Sequence, residues 1–230
     1  MSRPAPILTL VGLGGLGCPA LLSIAEASAR LRLPLTIRLV DPDVVEASNL
    51  ARQFLFSDRY LGAPKVLAAR AAITRLVPSA PLTLEPQEAR FDASTADALL
   101  AGAALFLDGT DDVATRFFAN DTACARRLPL VHGAAVEWTG QVLTIVPGQS
   151  ACLRCLFEAP PKRVVTCAEA GVVSPLTGLV GAAMASEALA LLQGTRSEAQ
   201  GSLLRWEGLD GKSRKLPLRR DPGCPACARC

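Results

Sequence analysis

Apolar residues in this chain gather in short runs separated by longer stretches in which they recur every three or four positions, the two periods of buried strands and amphipathic helices. Residues 7–11 are such a run and end in a Gly-rich turn. A helical pattern follows over 18–33, and a second run, 35–40, ends at Asp41. Pro64 opens an Ala-rich amphipathic segment through Leu76, which Pro78 stops. A weaker strand at 82–84 and a helix at 95–100 come next, then a buried strand at 104–107 ending at Asp108-Gly-Thr-Asp-Asp. A helix at 113–126 and a strand at 129–134 complete the series. Alternation of this kind predicts an α/β fold: a doubly wound, Rossmann-like and mainly parallel sheet with right-handed crossovers.

After Gly140 the pattern changes. The strand at 142–146 has no crossover helix before it and is expected to run antiparallel. A long apolar helix at 172–192 and two strands, at 202–207 and 212–218, finish the chain. No internal repeat, low-complexity tract or linker interrupts it. Residues 1–230 therefore read as a single domain, with a Rossmann-like nucleotide-binding half at 1–135 and a second half at 136–230 carrying the antiparallel strands and two Cys-x-x-Cys pairs.

Composition narrows the class. Of 230 residues, 50% are hydrophobic and only 4% aromatic, so the core must be built from Leu, Val, Ile and Ala, as in a parallel sheet wrapped by helices. A formal net charge of +3 gives no electrostatic argument for nucleic acid or membrane binding. Arg3, the apolar run after it and Ala-Ser-Ala at 27–29 imitate a secretory signal, but the glycines and prolines within that run fit a strand–turn–helix better. The 172–192 segment is long enough to span a bilayer, yet it contains Ser174, Pro175 and Glu187 and reads as a buried helix. A cytoplasmic protein without membrane insertion is expected.

The turn Gly-Leu-Gly-Gly-Leu-Gly at 12–17 matches the dinucleotide fingerprint at Gly12, Gly14 and Gly17, with Asp41 at the next strand tip as ribose ligand. Glycine lets the backbone approach phosphate oxygens, and the following helix N-terminus supplies amide donors. Alone, this pattern suits a nicotinamide or flavin enzyme, or a turn that merely packs helix on strand. Ser48, Asn49, Arg52 and Gln53 share one face of a short helical turn, and Lys65 opens the next helix. Singly, these are ordinary surface residues; jointly, beside a glycine turn, they favour phosphate binding. Asp108 and Asp111 lie where ligands bind in such sheets. Residues alone leave Mg²⁺ binding and helix capping by Asp111 or Asp112 equally open.

Eight cysteines include two Cys-x-x-Cys pairs, Cys152/Cys155 and Cys224/Cys227, whose arithmetic favours a tetrahedral Cys₄ zinc site over a redox motif. Cys18 and Cys124 fall within helices and read as packed small residues, and Cys230 has no assignable role. His132 ends a strand and is expected to be a satisfied core or edge histidine.

Taken in order, Gly-Leu-Gly-Gly-Leu-Gly, Asp-x-Asp-x-Val-x-x-Ser-Asn-Leu-x-Arg-Gln, Pro-Lys, Asp-Gly-Thr-Asp, Cys-x-x-Cys, Cys-Ala-Glu-Ala-Gly-Val-Val-x-Pro-Leu-x-Gly and Gly-Cys-Pro-x-Cys extend from about residue 9 to 227. The whole resembles the E1-like adenylyltransferases of the ThiF/MoeB type, which activate ubiquitin-like sulfur carriers. Its tail leans toward the thiamine-pathway branch. The resemblance implies that Gly15, Asp41, Ser48 to Arg52, Lys65 and Asp111 form an ATP site and that Cys152, Cys155, Cys224 and Cys227 bind Zn²⁺. It also implies that Cys167 is the cysteine that in some members links covalently to the carrier or to sulfur. The implied reaction joins a carrier's terminal glycine carboxylate to the α-phosphorus of ATP. Arg52 and Lys65 would contact phosphates and Asp111 would hold Mg²⁺. The implied partners are a carrier ending in Gly-Gly, a second copy of the chain and a sulfur donor protein.

Three departures accompany the resemblance. The sequence starts at its first strand, whereas relatives carry a helical segment before it that delivers an arginine to ATP across a dimer. The stretch 26–35 is longer and lacks the usual Ala-Gly-Val-Gly turn. Asp112 stands where relatives usually have Asn. Slower turnover, dependence on a partner and a non-catalytic, zinc-stabilised carrier-binding role therefore stay open, as does a nicotinamide oxidoreductase that uses the same turn and Asp41.

Overall fold

In the computed structural model, which describes residues 4–160, 171–195, 197–228 and 230, the apolar runs pair side by side. β1 (Ile7–Val11), β2 (Leu35–Val40), β3 (Leu82–Gln87), β4 (Ala103–Asp108) and β5 (Leu130–Val136) are mutually parallel. β6 (Thr139–Ile145), β7 (Ser202–Glu207) and β8 (Lys212–Pro217) extend the sheet antiparallel, as the missing crossover before β6 implied. Among the described residues the strands form one mixed sheet in the order β3-β2-β1-β4-β5-β6-β7-β8.

Helices cover both faces: α1 (Gly17–Leu31), α2 (Lys65–Leu76), α3 (Ala96–Leu99), α4 (Val113–Arg126), α5 (Leu153–Leu156) and α6 (Ser174–Leu192). Side chains alternate across each strand, so β1 and β4 feed two separate cores. Leu8, Leu10, Leu105 and Leu107 pack with α1, α2 and α6 residues such as Leu21, Ala69 and Val180. Val11 and Phe106 pack with Leu99, Ala119 and Ala123 of α3 and α4 on the opposite face.

Several boundaries differ from the sequence reading by a few residues, and two of them have a clear structural reason. β3 runs on through Pro86, which an edge strand tolerates because its outward amide needs no partner. β6 starts at Thr139, so Gly140 lies inside it; a Cβ there would come within 2.5 Å of Val180 Cγ2 on α6. The apolar helix is the central packing element of its layer, with Leu176, Val180, Met184, Ala185 and Ala188 buried. Its buried Glu187 accepts from Thr144 Oγ1 at 2.8 Å and from the amides of Glu198 and Ala199 at 3.0 and 2.9 Å. Every oxygen of that carboxylate is satisfied by protein donors, which explains a charge in so apolar a helix.

After β1 the chain moves outward to β2 and β3, and β4 returns on the other side of β1. The resulting crevice over the ends of β1 and β4 is the topological switch point. The glycine turn sits there and α1 starts beneath it. A Cβ on Gly17 would lie 1.8 Å from the Gly12 carbonyl oxygen, whereas one on Gly14 meets nothing within 4 Å. Gly17→Ala should therefore lower the urea midpoint by the equivalent of about 1–3 kcal/mol. Gly14→Ala should stay within about 0.5 kcal/mol of the parent. Equal midpoints for the two variants would contradict this packing.

Candidate active site

At the switch point the glycine turn, the β2 tip, the 49–53 stretch, the start of α2 and the loop after β4 enclose a cavity of about 380 Å³. Ala89, Arg90 and Phe91 beyond β3 and Thr177 on α6 complete its wall. Asp41 is its anchor. The buried carboxylate accepts from the Leu13 amide at 2.6 Å and from the Asp43 amide at 2.9 Å, tying the turn to the β2 tip. Burial pushes the Asp41 carboxyl above its usual range, against the charge of Lys65 and the two amides. Lys65, itself buried, lies 2.8 Å from Asp43 Oδ2 and 3.8 Å from Asp41 Oδ1.

Arg52 Nη2 donates to Asn49 Oδ1 at 2.5 Å. Its side chain runs beside the turn, with Cδ 3.6 Å from the position of a Cβ on Gly15. Gln53 is buried and, among the described residues, its Oε1 has no hydrogen-bond partner. A buried acceptor of this kind in a cavity wall suits a donor group on a bound ligand. Asp111 lies exposed on the wall, and among the described residues it has no hydrogen bond or ion pair.

Gly14, Gly15, Asp41, Asn49, Arg52, Gln53, Lys65 and Asp111 thus share one cavity. Two residues read from the sequence as ligand contacts lie elsewhere. Ser48 is exposed and its hydroxyl donates to Glu46 Oε2 at 3.4 Å, because Ala47–Asn49 is a 3₁₀ turn and rotates it off the Asn49–Arg52 face. Gly17 underlies the turn as a packing position. Asp112, not Asp111, caps α4, accepting from the Thr115 amide and hydroxyl at 2.7 Å each. Cys167 lies outside the described residues.

Sequence reasoning passed over Asp43, Arg116 and Thr177, which also line the cavity. Asp43 sits in the same Asp-Pro-Asp as Asp41, and Arg116 lies one helical turn beyond the Asp112 cap, so both had a local signal. Thr177 arrives from a distant helix and had none.

Behind the loop, Asp108 is fully buried at the end of β4 and bonded at 2.8 Å to Nδ1 of His132, the satisfied histidine the sequence suggested. Burial alone would raise this carboxyl; the His132 hydrogen bond and the charges of His132 and Arg116 outweigh it and hold it below the usual range. A second, mostly apolar cavity of about 220 Å³ lies beside it, lined by Phe117, His132, Val136, Leu153 and Phe157.

Away from the crevice, Cys152 at the N-cap of α5 and Cys155 within it meet Cys224 and Cys227 of the tail, with all four sulfurs within 4.8 Å of one another. The closest pairs, Cys155–Cys227 and Cys152–Cys224, are 3.4 and 3.6 Å apart. Thiolates around one tetrahedral zinc lie about 3.8 Å apart, so the donor set and its size suit that ion. Cys18 and Cys124 are packed in the two cores, and burial pushes the Cys18 thiol up to about 12.

The ThiF family model matches residues 7–226. The chain belongs to the ThiF family. Among its relatives, the molybdopterin-synthase adenylyltransferase of Escherichia coli is 40% identical over 222 residues, covering 96% of this chain and 86% of that protein. The sulfur carrier protein ThiS adenylyltransferase of the same organism is 37% identical over 219 residues, covering 95% and 84%. Among solved structures, E. coli MccB with AMPCPP and MccA superposes with a TM-score of 0.83 at 17% identity, over 96% of this chain. This chain spans 66% of that structure, and at such identity the likeness concerns the fold of this ThiF-family chain alone.

Proposed function

We propose that this chain uses ATP to adenylylate the C-terminal glycine carboxylate of a ubiquitin-like sulfur carrier protein, releasing pyrophosphate. Membership of the ThiF family and relatives named for adenylylation of such carriers support the reaction class. The observation that carries it to this chain is the meeting of Gly14, Gly15, Asp41, Arg52, Lys65 and Asp111 in one cavity. Its volume is within the range of roughly 300–1,000 Å³ usual for small-molecule sites.

The residues suit ATP. The lone pairs that Asp41 does not spend on Leu13 and Asp43 are free for ribose hydroxyls, and the orphaned Gln53 Oε1 accepts a further donor. Open space over Gly14 leaves the turn amides and the α1 N-terminus clear for phosphate oxygens. A carboxylate attacking a phosphate brings two anions together, so the chain must supply positive charge where they meet. Arg52 offers a planar fork on that side of the turn; Lys65, with one donor committed to Asp43, keeps others for a phosphate. Mg²⁺, when bound, neutralises charge on the triphosphate, and Asp111, exposed on the cavity wall and without a partner among the described residues, is the carboxylate suited to hold it. No general base is required, because the attacking carboxylate is already ionised at neutral pH.

The Cys₄ cluster is read as a structural zinc site that ties the tail to α5. The carrier is taken to end in Gly-Gly and the chain to pair with a second copy, a reading that the exposed Phe54 and Leu179 support.

ATP–pyrophosphate exchange that appears only with a Gly-Gly-ended carrier tests the reading. Arg52→Ala and Asp111→Ala should each slow exchange by about 100-fold or more while the protein stays folded. Carrier-dependent exchange undiminished in Asp111→Ala would overturn the metal assignment, and tight NADH binding without ATP binding would overturn the reaction. Metal analysis should find one zinc per chain, lost with a lowered thermal midpoint in Cys224→Ser or after chelation. A metal-free protein of undiminished stability would contradict the zinc site.

A further inference from the structure

The two oxygens of Asp108 have different partners. Oδ1 accepts from the amide and the hydroxyl of Thr110, at 3.0 and 2.7 Å, and so folds the start of the loop back onto the strand end. Oδ2 is held by His132 Nδ1–H at 2.8 Å. Thr110 passes this constraint on: its carbonyl accepts from Nε and Nη2 of Arg116, at 3.0 and 2.8 Å. Thr110, Asp111 and Arg116 line the nucleotide cavity, whereas His132 stands behind it.

We propose that His132 is a positioning residue for the nucleotide site, holding Asp108 so that Thr110, Asp111 and Arg116 keep their places. The proposal rests on the adenylylation reading. Without the imidazole, a fully buried carboxylate would keep one oxygen unpartnered, and such groups take up a proton or turn toward a new donor. Either change weakens the acceptor that fixes Thr110. The disturbance then reaches Asp111 and Arg116 through the loop backbone, so it falls on the nucleotide side of the reaction.

Three substitutions separate this role from simple packing. His132→Asn keeps an N–H donor near the Nδ1 position, His132→Gln carries its donor out toward the Nε2 position, and His132→Ala has none. Removal of a partner one step behind a site typically costs about 10–100-fold in activity. That loss in kcat/KM for ATP, measured by exchange, is expected for the Ala and Gln variants. KM for the carrier should be unchanged, and the Asn variant should stay near the parent. Hydrogen–deuterium exchange at the Thr110 amide, which needs no activity, should quicken in the Ala and Gln variants alone.

Equal behaviour of the Asn and Gln variants, parental kcat/KM and Thr110 exchange in the Ala variant, or a loss confined to carrier KM would each overturn the proposal. A parent protein with no exchange activity counts instead against adenylylation, and Thr110 amide exchange then still decides the role of His132.

Discussion

The Leu13 amide lies 2.6 Å from the Asp41 carboxylate, and the geometry of the whole crevice depends on that contact. It joins the turn after β1 to the tip of β2, two segments that the parallel pairing of their strands brings side by side. The carboxylate is buried, so its charge is costly unless donors and a cation surround it. Leu13 and Asp43 supply the donors, and Lys65 at the start of α2 supplies the cation. The demand of one buried charge thereby fixes the turn, the strand tip and the first residue of the next helix relative to one another.

Charge in the rest of the wall follows a similar balance. Asp41, Asp43, Asp111 and Asp112 face Arg52, Lys65, Arg90 and Arg116, so the wall as a whole is formally neutral. A triphosphate entering it brings uncompensated negative charge, which is why a divalent cation belongs in the proposed reaction. Asp112 adds to that need, although its cap on Thr115 commits one oxygen to α4 rather than to the ligand.

Features encoded locally were legible in the sequence. Strand and helix periods gave the parallel series and the antiparallel end, and Cys-x-x-Cys spacing marked both halves of the cysteine cluster. Arg52 and Gln53 stood out because they follow a glycine turn by one helix and one strand. Features set by tertiary contact were not legible. The 3₁₀ turn at Ala47–Asn49 decides that Asn49 and not Ser48 faces the cavity. Gly17 matches a phosphate-binding fingerprint, yet its position is dictated by the Gly12 carbonyl. Thr177 enters the wall from a helix whose own pattern is predominantly apolar and does not single it out. Family resemblance supplied the chemistry that such patterns could not distinguish from nucleotide binding in general.

The central claim is that this crevice transfers the adenylyl group of ATP to a carboxylate. Incubating the protein with a Gly-Gly-ended carrier and ATP labelled in either the α- or the γ-phosphate tests it most directly. Label from the α-phosphate should appear on the carrier and label from the γ-phosphate should leave in pyrophosphate. Transfer of γ-label to the carrier, or nucleotide binding with no carrier labelling, would contradict the account.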